Sequence, residues 1–368
     1  TNALLETSYF GYDQVGNQTT TKDPRGQTWT RAFDPVNRME RETNPLPQPE
    51  SNYYQFDKSG NRTVSMDQLG LTTYYAWDAL SRSTRVQDPA GYSTYMAYDA
   101  VGNRTKITSA TDKGSYFQYD ALSRLACRTE AWLASTYFEY DKNSNMVRRH
   151  EPQDTWSYFE YDLGNRMTRG RYIVDGRTDY YSWDAGSLLL SAGNQSFDVS
   201  YTHDAIRRLT VQSDPSQATQ YFGYDAVGNK VRVALDAAGT IVEYFKFDAA
   251  DRMTQMDVAN TILATLVSSY YQHDANGSKV QQRHTNTATS YWAFDEASRL
   301  ASQKTISSGG AELANLVYTR DAAGRITKIG KPAGAAGYFQ YDTVSRVTVD
   351  HRHDTGPVDL VAYYQYDA

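Results

Sequence analysis

A chain of 368 residues with one cysteine and a net charge of -6 cannot be held by an internal disulfide, and no run of Lys or Arg forms a phosphate-tracking stripe. No apolar stretch approaches the roughly 20 residues that a membrane-spanning helix needs, and nucleic acid is excluded as a partner on this charge balance. The 31 Tyr, 12 Phe and 6 Trp, set among abundant Gly, Thr, Asp and Asn, describe pleated strands and tight turns, so the expected class is all-β.

Short aromatic runs ending in Tyr-Asp or its equivalent recur along the whole chain. Tyr9-Phe10-Gly11-Tyr12-Asp13 opens the series and Tyr363-Tyr364-Gln365-Tyr366-Asp367 closes it. The closing Asp falls at 13, 34, 57, 78, 99, 120, 141, 162, 184, 204, 225, 248, 274, 295, 321, 342 and 367, and nine of the sixteen intervals are 21 residues. A fixed period of this size marks a repeat architecture without independent domains, so residues 1-368 read as one array of about 16 hairpin repeats.

Each repeat contains two strands and two turns. After Asp99 a turn Ala100-Val101-Gly102-Asn103 leads into an alternating strand, and a second turn precedes the aromatic strand ending at Asp120. The second turn recurs as Asp23-Pro24-Arg25-Gly26, Asp67-Gln68-Leu69-Gly70, Asp88-Pro89-Ala90-Gly91 and Asp236-Ala237-Ala238-Gly239, in which Asp opens, Pro presets φ and Gly closes. Insertions are expected as loops near 44-50, 258-267 and 307-311. Weaker strand pairing is expected where His203 and Arg320 replace the aromatic residue and where Gly186-Ser187-Leu188 departs from the usual turn.

Alternation of side chains places the residues three and one before each Asp on one face, as with Phe117 and Tyr119 or Phe159 and Tyr161. That face is expected to be dry. The opposite face carries Tyr53, Tyr74, Tyr95, Tyr116, Tyr137, Tyr158 and Tyr221 beside small or polar residues, and is expected to meet solvent. A second period overlies the first: positions three and four after the mark alternate between Gly-Asn, as at Gly102-Asn103, and Ser-Arg, as at Ser123-Arg124. Gly suits positive φ whereas Ser-Arg suggests a right-handed turn, so alternate hairpins are expected to occupy two settings.

This signature strongly resembles the YD repeat of the RHS family, which includes bacterial polymorphic toxins, the BC component of insecticidal toxin complexes and the teneurins. The residues that carry it are Tyr12, Asp13, Tyr98, Asp99, Gly102, Asn103, Tyr119, Asp120, Ser123, Arg124, Tyr140, Asp141, Tyr161, Asp162, Tyr224, Asp225, Gly228, Tyr341 and Asp342. The resemblance implies a β-solenoid of antiparallel hairpins spiralling into a hollow shell, in toxins a cocoon around a C-terminal effector. Family toxins close the shell with an Asp-Pro-x-Gly-Leu motif and an aspartyl autoprotease. Here the quartets at 23-26 and 88-91 lie inside ordinary repeats and are followed by Gln27 and Tyr92, so no protease role passes to any Asp of this chain.

No other constellation breaks the repeat in a way that chemistry would need. The Asp ladder is explained by turn capping, His351 and His353 lack a third metal ligand nearby, and no Ser lies in a nucleophile elbow. The expectation is a protein that is not an enzyme, with no cofactor, no metal and no catalytic residue. Its partner is expected to be an enclosed or displayed polypeptide, or neighbouring copies of the chain. A glycan is a further candidate partner, through stacking on the outward tyrosines, although cross-strand pairing already explains most of that ladder. The pattern begins and ends in mid-repeat, which points to a segment of a longer secreted or cell-surface polypeptide. A structural filament or adhesin is the alternative to a shell.

Overall fold

The computed structural model describes residues 6-366 apart from 112, 133, 286, 332-333 and 354-358; the mark at Asp367 lies outside them. The described residues form 33 strands and no α-helix, so no helix is long and apolar enough to cross a membrane. They gather into two compact regions. The first comprises Thr1–Thr94, Phe247–Gln255 and Ser268–Ala368, and the second Tyr95–Lys246 and Met256–Val267.

Within each region every strand pairs antiparallel with its neighbour in the chain. In the second region Gly114–Tyr119 pairs with Leu125–Thr129, which pairs with Ser135–Tyr140, which pairs with Met146–Glu151. In the first region Ser51–Phe56, Arg62–Met66 and Thr72–Trp77 follow the same rule. The register slips by one residue beside each Tyr-Asp turn, so that Gln118 faces Cys127 but Tyr119 faces Leu125. This is a β-bulge recurring once per repeat, and bulges strengthen local twist.

The turn after each mark has one hydrogen-bonding scheme throughout. The amide three residues on donates to the Asp carbonyl, and the Asp amide donates to the carbonyl four residues on, as in Ser123 N to Asp120 O at 3.0 Å and Asp120 N to Arg124 O at 2.9 Å. The third residue has positive φ whether it is Gly102 at 102°, Ser123 at 59°, Asn37 at 65° or Arg207 at 74°. The expectation of a right-handed Ser-Arg turn is therefore corrected, because a three-residue hairpin loop needs a left-handed residue at its end. A β-carbon on Gly102 would meet nothing within 4 Å, so only backbone strain opposes it. Gly102→Ala is expected to cost about 1–2 kcal/mol of unfolding free energy, measured by urea denaturation against the unsubstituted chain.

Three further expectations change. The residues added near 258-267 and 307-311 mostly lengthen strands: Met253–Asn260 and Leu300–Ser307 have 8 residues, and Thr265–His273 and Glu312–Arg320 have 9. Residues 44-50 do form a loop, closed by Asn44 N to Glu50 O at 3.0 Å. The repeats at Asp184, Asp204 and Asp321 pair as fully as the others, with Trp183 opposite Leu189, His203 opposite Leu209 and Arg320 opposite Ile326.

Most residues three and one before the mark are half-buried rather than dry, with Phe10 and Tyr12 exposed, whereas Tyr74, Tyr95, Tyr116 and Tyr137 on the other face are exposed. Few described side chains are fully shielded. Cys127 is a buried free thiol, and Phe159, at 8% exposure, is a buried aromatic set against Tyr172 edge to face at 6.1 Å.

Candidate functional site: the two turn edges

A meander of hairpins has two edges, one lined by the Tyr-Asp turns and the other by the second turns. On the first edge the Asp carboxylate is a hub. In the Asp120 turn, Oδ1 accepts the backbone amides of Leu122 and Arg124 at 2.9 and 3.0 Å, and Oδ2 accepts Arg124 Nε at 2.7 Å. Asp13, Asp99, Asp141, Asp162, Asp225 and Asp342 act the same way, with Asn or Arg as the side-chain donor four residues on. Both carboxylate oxygens are thus used inside the turn. Among the described residues no group of three or more His, Cys, Asp or Glu is placed to hold a metal ion.

From many of the hubs a link passes to the next repeat. Arg124 Nη1 donates to Asp141 O at 2.9 Å, its guanidinium lies 4.7 Å above the Tyr140 ring, and Tyr140 Oη donates back to Leu125 O at 3.0 Å. The same loop runs through Arg208, Asp225, Tyr224 and Leu209, and through Arg325, Asp342, Tyr341 and Ile326. Tyr119 and Tyr161 make the equivalent back-bond to Arg104 O and Met146 O, and Trp77 and Trp183 supply an indole N–H in its place. Arg320 does so with a guanidinium, donating to Leu300 O at 2.6 Å, so its repeat keeps the link without an aromatic ring. The signature Tyr thus uses its hydroxyl as well as its ring in these repeats, whereas Phe33, Phe56, Phe247 and Phe294 hold the same position with the ring alone.

The superperiod is an alternation of donors and acceptors. Asn repeats hand on to a side chain at the next third position: Asn17 Nδ2 to Asn37 Oδ1 at 2.8 Å, Asn103 Nδ2 to Ser123 Oγ at 3.2 Å and Asn145 Nδ2 to Asn165 Oδ1 at 2.9 Å. Arg repeats reach the next Asp carbonyl whether Gly follows, as Arg38 Nη1 to Asp57 O at 2.6 Å and Arg208 Nη1 to Asp225 O at 3.0 Å, or Ser follows, where Arg124 Nη1 also donates to Ser144 Oγ at 3.3 Å. Both kinds of repeat share one turn conformation, so the two settings expected from the alternation are not seen in the backbone, and the repeats differ in the side-chain donor they send on. Asp120→Ala removes hub and hand-off together. The expected result is roughly tenfold faster amide exchange at Leu122 and Arg124, read by hydrogen exchange, with the Asp225 turn unchanged.

The hubs also fix a pH dependence. The Asp120 carboxyl is held below its ordinary value of 3.8, chiefly by its hydrogen bond to the Arg124 side chain and also by the Arg124 amide. Asp141 and Asp162 are lowered in the same way by Asn145 and Arg166. A carboxyl that is more acidic folded than unfolded adds stability above pH 3.8 and loses it as pH falls through the lowered folded value. Tyr140, Tyr161 and Tyr341 are raised above 10.0, first by burial and then by a neighbouring Asp, so their contribution is complete below pH 10 and lost above it. The urea midpoint is expected to be flat between these limits and to fall below about pH 4 and above about pH 10.

On the other face the tyrosine rings carry cations: Lys106 Nζ lies 5.3 Å from the Tyr116 ring centre, Arg171 4.8 Å from Tyr158 and Lys328 5.2 Å from Tyr338. His351 tilts against Tyr338 at 5.8 Å and shares a groove with Gln340 and His353.

In the first region the chain returns to its own first hairpins. Arg25 Nη1 lies 3.5 Å from Asp274 Oδ2, and Arg25 Nη2 donates to Ser298 Oγ at 2.6 Å and to Asp295 O at 3.3 Å. Asn276 Nδ2 donates to Asp23 Oδ2 at 2.5 Å, and Arg252 reaches Glu6 at 3.4 Å. The Gln68 amide lies beside the Glu50 carboxylate and Ala322 O, and with its nitrogen turned toward them it donates to both. Apart from Gln68 with Glu50, each of these pairs joins a second turn, or the segment before the first strand, to a Tyr-Asp turn. Partners are separated by 246 residues for Glu6 and Arg252 and by 253 for Asp23 and Asn276, about twelve repeats of the 21-residue period. A polar groove of about 700 Å³ follows this seam, lined by Glu6, Pro24, Asp251, Arg252, Asn276 and Gly277. Sequence reasoning missed the seam; its one local signal is an Arg inside the quartet at 23-26.

Solved structures share this architecture. The crystal structure of TcdB2-TccC3 superposes with a TM-score of 0.82 over 94% of this chain and 22% of that chain, at 14% identity. The fold is similar to that of a toxin complex. TcdB2-TccC3-Cdc42 gives a TM-score of 0.80 over 93% of this chain and 21% of that one, again at 14% identity. The Photorhabdus luminescens Tc holotoxin pore gives 0.65 over 94% and 19%, also at 14%. The chain therefore spans about a fifth of the length of the solved chains that it matches. No family model matches the sequence, and no curated protein matches it.

Proposed function

We propose that the chain is a structural, non-catalytic segment of a hairpin-repeat shell that encloses or displays another polypeptide, such as the C-terminal toxin of a secreted RHS-type protein. The observation that carries this reading is the agreement of fold along 94% of the chain with TcdB2-TccC3. One of those structures is named as lacking a hypervariable C-terminal region and another as carrying Cdc42, which supports a polypeptide as the partner. The chemistry of the repeats agrees, since hub carboxylates, arginines and tyrosine hydroxyls are spent on linking one hairpin to the next. The filament or glycan-binding alternative has less support, because cations already cover the faces of Tyr116, Tyr158 and Tyr338. The test is limited proteolysis of the full-length polypeptide that contains this chain. A segment that resists protease while the repeats are folded, and is cleaved once they are unfolded by acid, supports the shell; equal cleavage in both states overturns it.

A further inference from the structure

One histidine adjoins both ion pairs of the seam in the first region. In most repeats the position before the mark holds Tyr, Phe or Trp, and an arginine of the preceding turn lies over that ring, as Arg38 does over Phe56 at 4.9 Å and Arg124 over Tyr140 at 4.7 Å. Before Asp274 the position is His273, half-buried, and the arginine of the preceding turn is Arg252. Arg252 Nη1 donates to Asp274 O at 2.9 Å, as Arg124 Nη1 does to Asp141 O. Arg252 in turn meets Glu6, a pair with both side chains largely buried, while Asp274 meets Arg25. The other histidine at this position, His203, follows a turn whose fourth residue is Leu188, which brings it no cation.

Four charges act on His273: Arg252 and Asp248 of the preceding turn, Lys279 opposite it in the paired strand, and Asp274 beside it. The two carboxylates are already engaged, Asp248 by Arg252 Nε at 2.8 Å and Asp274 by the amides of Asn276 and Ser278 at 3.0 and 2.8 Å. We propose that His273 makes the seam a latch that acid releases: a proton on its ring sets a new cation beside Arg252 and loosens the contact of Arg252 with Glu6. That contact, at 3.4 Å, is longer than those of Arg252 with Asp248 and with Asp274 O, so it yields first. The charged ring also competes with Arg25 for Asp274. Burial, then Arg252 and Lys279, hold the His273 pKa below the ordinary 6.5 against Asp248 and Asp274. A histidine less basic folded than unfolded adds stability that is complete above pH 6.5 and lost as pH falls through the lowered folded value. Asp248 is itself held below 3.8 and keeps its charge in that window. Because repeats couple to their nearest neighbours, the release is local, and the urea midpoint, which reports the hubs of the whole array, does not register it. The latch does not rest on the shell reading, which concerns protection of a partner.

The test is hydrogen exchange of the 368-residue chain at about pH 7.5 and about pH 5.5, on either side of the ordinary histidine range, corrected for the intrinsic pH dependence of exchange. Gly26 N and Gly277 N, which close the turns at Asp23 and Asp274, report the seam, and Ser123 N reports a turn of the second region. Protection at Gly26 and Gly277 is expected to fall roughly fivefold at the lower pH, with Ser123 unchanged. His273→Phe, which installs the ring found at Phe56, is expected to abolish the fall, and His203→Phe to leave it intact. Circular dichroism identifies a variant that has not folded, and His273→Tyr then takes its place. The unsubstituted chain supplies a check that needs no variant: the fall must follow the titration of the His273 ring, read from its imidazole C–H signal by NMR, and not that of His203. Protection at the seam that is equal at both pH values, a fall retained without His273, a fall shared by Ser123, or a fall that does not follow the His273 ring overturns the proposal.

Discussion

Arg25→Ala is expected to destabilise the seam of the first region by about 2–3 kcal/mol, the larger part of which comes from what it leaves behind. Arg25 is about four-fifths buried, at 19% side-chain exposure, and it serves Asp274, Ser298 and the Asp295 carbonyl. Its removal leaves a shielded carboxylate and a carbonyl without that donor. Because repeat arrays are stabilised by nearest-neighbour contacts, the loss is expected to stay local, with hydrogen exchange rising in the turns at Asp274 and Asp295 and in the hairpin at Asp23 but not at Asp120. Arg25→Lys keeps the charge but not the fork, so it is expected to recover only part of the loss. An unchanged exchange pattern in both variants would show that the seam contributes nothing.

Phe159→Ala is expected to cost more, about 3 kcal/mol, because it empties a shielded position. Phe159 faces Gly170 across the strands, and this small partner leaves room for the Tyr172 ring to lie over it edge to face. A β-carbon at Gly170 would come within 3.2 Å of Tyr172 Oη, so the glycine is part of the same packing. Urea unfolding followed by tryptophan fluorescence measures the effect. A cost below that of Gly102→Ala would show that Phe159 is no core residue.

Much of the architecture was legible because it is local. The 21-residue period, the hairpin, the position of each Tyr-Asp turn among the described residues and the opposition of two faces follow from turn chemistry and strand alternation, which short stretches of chain specify by themselves. The signature residues were legible as a class, but not the reason for each. That Tyr140 donates its hydroxyl and that Arg320 makes the equivalent bond with a guanidinium depend on a carbonyl one repeat upstream, and no pattern of residue types displays that acceptor.

The alternation of Gly-Asn and Ser-Arg could be read, and its cause was misjudged. Propensity placed Ser in a right-handed turn, yet the hairpin closure requires positive φ at the third position and the hand-off from Asn103 meets Ser123 there. Of the three expected insertions, residues 44-50 form a loop, while the residues added near 258-267 and 307-311 extend a ladder instead. Residues 253-260 and 265-273 took the ladder.

The sequence by itself determined the all-β class, the repeat length and the residues that cap and link each hairpin, because those interactions lie within one or two periods. Only the tertiary structure decided that Glu6 meets Arg252 and Asp23 meets Asn276, and hence which turns are covered and which stay open. The physical reason is that partners 246 and 253 residues apart lie far beyond the one or two periods over which turn chemistry and strand alternation act. Their meeting is invisible in any single repeat.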